Sequence, residues 1–207
     1  MLAEAQRIAY SAPLAIAAYL IVLTALAAWT DTGDGESGFL FAELAVSVGL
    51  GYYMAREMIL RSNLMEGGLA RGFGTYLGVS ILSGIGIVVG FILLVIPGII
   101  LLVRWSPVFG YALAGDRDVT DALSDSWQST ASHFAPLLAV NIVPVGLSLI
   151  SAAIIFILPG DEFAIPLWAS ILSSVTGYGA TVVFTAIGLA AYSLLTRRAQ
   201  DLETVFE

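Results

Sequence analysis

Two charges stand inside otherwise apolar runs, and they are the residues best placed to do chemistry. Arg104 sits in LLVRWS and Glu43 in FAELAV. An unpaired guanidinium at membrane depth costs at least about 2.5–3.5 kcal/mol on insertion scales, so it snorkels or finds an anion. Counted from Pro97-Gly98, seven residues at about 1.5 Å each place Arg104 about 10 Å into a membrane. Glu43 lies at a similar depth below the same face, so an intramembrane Arg104–Glu43 ion pair is expected. A headgroup contact for Arg104 is the other structural reading. A gate or anionic-substrate site is the functional one, but one pair is too little for a transport pathway. An arginine with no carboxylate in reach would favour an anion or headgroup site.

The other polar clusters are weaker. Asp121, Asp125, Ser129 and His133 recur at four-residue steps and share one helix face. With a single imidazole among solvated carboxylates, no metal is expected there. Asp161 and Glu162 lie in a short connection with no domain to form a pocket. No Walker loop, GxSxG, HExxH or dinucleotide fingerprint occurs. No catalytic residue and no cofactor is therefore assigned, and the chain is read as a non-enzyme. A lipid-acting enzyme is the weakest reading.

The elements that position these residues follow from composition. Of 207 residues, 58% are apolar and 12% charged, against about 25% charged in an ordinary soluble domain. So few charges cannot cover a water-exposed surface, and lipid must cover most of it. Cysteine and lysine are absent, and the net charge is −8. That balance argues against nucleic acid and against strong attraction to anionic headgroups. The leader before residue 13 has near-zero charge, so a cleavable signal peptide is not expected.

Six runs approach the roughly 20 residues of a membrane helix: 13–29, 39–60, 74–96, 99–114, 135–158 and 166–195. They are helices, since backbone groups in hydrocarbon must pair internally. The expected fold is an all-α integral membrane bundle of six transmembrane helices in one domain. The positive-inside rule orients it. Arg7, Arg56, Arg61, Arg71, Arg117, Arg197 and Arg198 fall on one side, and only Arg104 does not. The opposite connections carry Asp31, Asp34, Glu36, Asp161 and Glu162. Both termini are thus expected in the cytoplasm.

A repeat points the same way. Gly84 to Gly98, GIGIVVGFILLVIPG, aligns without gaps with Gly146 to Gly160, GLSLISAAIIFILPG. Both end in an apolar Pro-Gly turn. Hairpins each preceded by an interfacial amphipathic helix are expected, over residues 4–12, 61–72 and 118–133, with the stretch from Leu93 to Trp127 as the unit that organises the chain. The helix over 118–133 has an apolar face of Val119, Leu123, Trp127 (or Ser126), Ala131 and Phe134. Trp127 is its interfacial anchor. Pro144 is expected to kink the fifth span. Close helix packing is expected at Gly74, Gly78, Gly86 and Gly90, and at Ser173 and Gly177, within the chain or between copies.

The pattern IPGIILLVRWS at Ile96 to Ser106, then Pro107, then ALSDSWQST at Ala122 to Thr130, resembles the membrane domain attached to some bacterial glycerophosphoryl diester phosphodiesterases. It is also similar to the related YciC-like family of small inner-membrane proteins. The resemblance implies a six-helix protein of the bacterial inner membrane with no assigned activity of its own. Asp125 stands where basic residues are typical, and one histidine cannot supply a phosphodiesterase site. The resulting expectation is a non-enzymatic scaffold or accessory subunit of a larger membrane complex. Its partners would be membrane lipids, other subunits or itself. The alternative is a small transporter or lipid-handling protein using Arg104 and Glu43.

Overall fold

The computed structural model describes residues 1–32, 38–65, 72–157 and 165–206. Its elements are α1 (Leu2–Ser11), α2 (Pro13–Thr32), α3 (Gly38–Arg61), α4 (Phe73–Leu93), α5 (Val95–Arg104), α6 (Val108–Leu113), α7 (Val119–Ser129), a 3-10 turn at Ala131–His133, α8 (Phe134–Ile157) and α9 (Leu167–Phe206). Among the described residues there is no strand. Asp34, Glu36, Arg71, the Pro159-Gly160 turn, Asp161 and Glu162 lie outside them, as does half of the surface segment expected over 61–72.

Five segments are long and apolar enough to cross a membrane: Pro13–Asp31, Phe73–Leu93, Val95–Leu113, Ala131–Ile157 and Leu167–Arg197. The remaining long helix, α3, has 24 residues but is not among the five. Glu43 lies near its start, and Arg56, Glu57 and Arg61 crowd its end. It stops where Asn63 takes a left-handed φ of 54° and the Leu64 N–H turns back to the Ile59 carbonyl.

Three expected boundaries move. The turn of the central hairpin is at Leu94, not at Pro97-Gly98, and Pro97 lies in the first turn of α5. Proline suits that place, because its missing N–H belongs to the set that a helix start leaves unpaired anyway. The span expected over 99–114 is two helices, broken at Trp105–Pro107. The interfacial helix ends at Ser129 rather than 133. There the Thr130 hydroxyl hydrogen-bonds back to the Ser126 carbonyl at 2.7 Å. Through Pro144, α8 runs as one helix.

The organising element is the last long helix rather than the stretch from Leu93 to Trp127. Helix α9 packs against α8, α2, α1, α6 and α3. Its buried positions are mostly small, among them Ala169, Ser170, Ser173, Ala180, Ala186, Ala190 and Ala191. Small residues let neighbouring backbones approach, which is how helices gain contact where lipid removes the hydrophobic drive. Gly188 is the tightest case, with its backbone against the Ser106 carbonyl. Gly110 of α6 makes room for the ring of Tyr192 in the same way.

At the N-terminus, α1 lays Ala5 and Ile8 onto α9. Glu4 ties the contact polar-side: Arg7 Nη2 is 2.7 Å away, the Ser193 hydroxyl 3.4 Å and Arg197 4.0 Å. The Arg7 hydrogen bond, opposed by partial burial, holds the Glu4 carboxyl below the usual glutamate range.

Candidate functional site

The site is built where α5 ends. Pro107 cannot continue the helix with an N–H, and α5 stops at Arg104: the Leu101 and Val103 carbonyls accept the Trp105 and Ser106 N–H groups, which leaves the Arg104 carbonyl for a side chain. Helix α7 crosses below and supplies donors. Ser126 Oγ donates to the Arg104 carbonyl at 2.7 Å, and Thr130 Oγ1 approaches the same oxygen at 3.4 Å. Both hydroxyl residues are fully buried. The face that α7 turns inward is thus Ala122, Ser126 and Thr130. The expected apolar row of Val119, Leu123 and Trp127 flanks it. The physical reason is the orphan carbonyl: a helix end buried against α7 needs hydroxyls there more than it needs larger apolar side chains.

The Arg104 side chain answers the other way. Its Nη1 donates to the Trp127 carbonyl at 2.8 Å, and the guanidinium carbon lies 4.6 Å from the centre of the Trp127 ring. A cation over an indole face is worth about 0.5–2 kcal/mol, more as water is removed. Trp127 itself is 39% exposed, with its ring partly open to the surroundings. Arg104 Nε is buried without a hydrogen-bond partner.

The structure does not join Arg104 to Glu43. Glu43 instead accepts from the Tyr178 hydroxyl at 2.5 Å, and Tyr178 meets Tyr19 edge-to-face at 6.0 Å. Helix α9 explains the separation. Glu43 is held at Tyr178 and the Arg104 end of α5 at Gly188, ten residues or about 15 Å apart along the helix. The expected depth match fails because the turn is at Leu94 and α3 enters beside the other half of α9.

Other arginines do have carboxylates: Arg7 with Glu4 at 2.7 Å, Arg61 with Glu57 at 2.8 Å and Arg117 with Asp125 at 3.1 Å. Among the described residues, no carboxylate lies within ion-pair reach of Arg104. A planar fork of donors, partly open and held on an aromatic face, suits a phosphate or carboxylate oxygen pair.

The remaining expected positions are packing residues, in part. Gly78 receives Val119, Gly86 receives the Trp105 ring, and Gly90 lies against the backbone of Gly98. Ser173 and Ser151 exchange hydrogen bonds between α9 and α8, and Gly177 sits over the Ser151 hydroxyl. Gly74 has nothing within 4 Å of where a Cβ would stand. On α7, Asp125 turns to Arg117. His133 Nδ1 lies 2.9 Å from the Ser132 hydroxyl. Among the described residues, no three of His, Asp or Glu gather as metal ligands would.

Sequence reasoning offered Ser126 only as an alternative to Trp127 and missed Thr130, although the signal was present: Ala122, Ser126 and Thr130 are small residues at four-residue steps. Tyr178 carried no comparable signal. No family model, curated protein or solved structure matches the chain.

Proposed function

We propose that this is a non-enzymatic, multi-pass protein of the bacterial cytoplasmic membrane that holds an anionic phospholipid headgroup at the junction of Arg104 and Trp127. Both termini lie on the cytoplasmic side, where seven of the eight arginines of the sequence gather. One observation carries the reading. Arg104 is fixed by an aromatic face and a backbone carbonyl, with no described carboxylate to neutralise it. A cation held at the interface is completed by a lipid phosphate, and Trp127 beside it belongs at headgroup level. The anionic composition of the chain makes such binding local rather than a broad electrostatic attraction.

A second reading, an accessory subunit of a larger complex, is favoured by Gly74. Among the described residues nothing lies within 4 Å of where its Cβ would stand at the start of α4, and a neighbouring helix would fill that space. Gentle extraction followed by native mass spectrometry separates the two. Retained phospholipid that is lost in Arg104→Ala but kept in Arg56→Ala supports the headgroup site. Equal retention in both variants overturns it, and a stoichiometric partner protein establishes the subunit role.

A further inference from the structure

The tip of the α4–α5 hairpin is apolar throughout. From Gly84 to Val103 no polar side chain occurs. Phe91, Ile92, Leu93, Leu94, Val95 and Ile96 are between 39% and 78% exposed. At that end of the bundle the α2 and α9 ends carry polar and interfacial residues. Asp31 accepts a hydrogen bond from Ser170, and exposed Trp29 and Trp168 stand two residues from them. Paired tryptophans beside a carboxylate are the signature of a membrane–water boundary. Trp127, with Arg104, marks the opposite boundary.

Two rulers place the tip between those boundaries. The first uses α5. Ser106 lies against Gly188 of α9. From Gly188 to Ser170 is eighteen residues, about 27 Å, whereas from Ser106 to Leu94 is twelve, about 18 Å. The tip therefore ends about 9 Å short of the Asp31–Ser170 level. The second uses the groove of about 410 Å³ that Phe91 lines together with Ala180 and Thr181. Leu94 lies three residues, about 4.5 Å, beyond Phe91, while Ser170 lies ten, about 15 Å, beyond Ala180, a shortfall of about 10 Å. Tilt of α5 only increases the gap. Measured from the other side, ten residues from Arg104 to Leu94 give about 15 Å, half of a hydrocarbon core of about 30 Å.

We infer that α4 and α5 form a re-entrant finger: it enters from the Trp127 face, turns inside the hydrocarbon and leaves its tip in the acyl chains of the far leaflet. The occupant of the space above the tip is lipid hydrocarbon, because the exposed side chains of the tip itself, Phe91 to Ile96, are all apolar. Backbone at that depth must pair internally, and a tight turn limits the groups left over to those of one helix end and one helix start. It uses a single residue. The Leu94 N–H returns to the Gly90 carbonyl and the Gly98 N–H to the Leu94 carbonyl, at 3.1 and 3.4 Å. Pro97 brings no N–H. Gly90 against Gly98 lets the two arms close directly below the tip. The return to the same face keeps the positions of the termini unchanged, so this inference stands apart from the headgroup site.

The absence of cysteine in the sequence makes the test direct. Leu94→Cys and Ile96→Cys, each in the full chain, are labelled with a nitroxide and reconstituted in phosphatidylethanolamine–phosphatidylglycerol vesicles. Asp161→Cys, in the acidic connection before α9, is the reference. Collision with oxygen and loss of collision with a water-soluble nickel chelate at both tip positions, with nickel access retained at Asp161→Cys, is the expected result. Nickel access at the tip equal to that of the reference overturns it. So does a tip thiol protected from maleimide in native membranes but nickel-accessible in the vesicles, which would assign the tip to a protein partner.

Discussion

Substituting Gly188 by alanine tests whether α9 is the element on which the rest of the bundle closes. A Cβ at this position would overlap the Ser106 carbonyl, a backbone atom, with the Ser106 carbon only 3.1 Å away. A flexible side chain could swing aside. Here the obstacle is pinned between the end of α5 and Pro107, so relief requires moving a helix. Overpacking of this kind costs about 1–3 kcal/mol, and the absence of a rotatable neighbour puts it at the upper end, about 3. Alanine returns up to about 1 kcal/mol of helix propensity relative to glycine. The net loss is about 2 kcal/mol, or about 4–8 °C in melting temperature for a chain of this size. Gly179, nine residues earlier on the same helix, has nothing within 4 Å, so Gly179→Ala keeps the propensity gain without the clash and should melt at or slightly above the wild type. The assay is thermal unfolding in one detergent, followed by circular dichroism and by size-exclusion recovery. A Gly188→Ala protein that melts with Gly179→Ala would refute the close seating of Ser106 on α9, and with it the level from which the finger was measured.

Two further outcomes follow from polar contacts. Tyr178→Phe removes the hydroxyl that donates to Glu43 and should cost about 1–3 kcal/mol, since it strands a carboxylate between helices. Adding Glu43→Gln should recover at least about 0.5 kcal/mol as a coupling energy, and strict additivity of the two changes in unfolding free energy would disprove the contact. Glu4 gives a pH test. Its folded-state pKa lies below the ordinary 4.5, so its contribution is present above that value and is lost as pH falls through the folded pKa. The contact is largely solvent-screened, worth about 0.2–1 kcal/mol. Wild type should therefore exceed Glu4→Gln by about 1–3 °C in melting temperature at pH 6, and the difference should shrink as acidification protonates the folded carboxyl. A gap that does not shrink on acidification would mean that packing, not charge, separates them.

Much of the architecture was legible in the chain itself. A sequence 58% apolar with 12% charge is consistent with lipid as solvent, and run length marks where the long apolar helices lie. Helices lie in the expected runs, but five segments rather than six are long and apolar enough to cross a membrane, and the run over 99–114 is broken into two helices. The small-residue positions Gly78, Gly86, Gly90, Ser173 and Gly177 were readable as close contacts for a similarly local reason: a missing side chain is a space that some neighbour will fill. The turn was misplaced by three residues because Pro-Gly is a turn signal, yet proline is equally at home in the first turn of a helix.

Only the tertiary structure decided who faces whom. Arg104 and Glu43 share a hydropathy context but meet different helices, because depth along one's own helix says nothing about the stagger of the next. Arg104 is paired with Trp127 through the break at Trp105–Pro107, and Glu43 with Tyr178 through the entry of α3 beside α9. The short reach of the α4–α5 finger likewise follows from where Ser106 rests on Gly188, a contact between residues 82 positions apart. Periodicity and run length are properties of single helices and can be read from sequence. The relative heights of helices are set by rigid-body packing of small residues against backbone, which no single run contains.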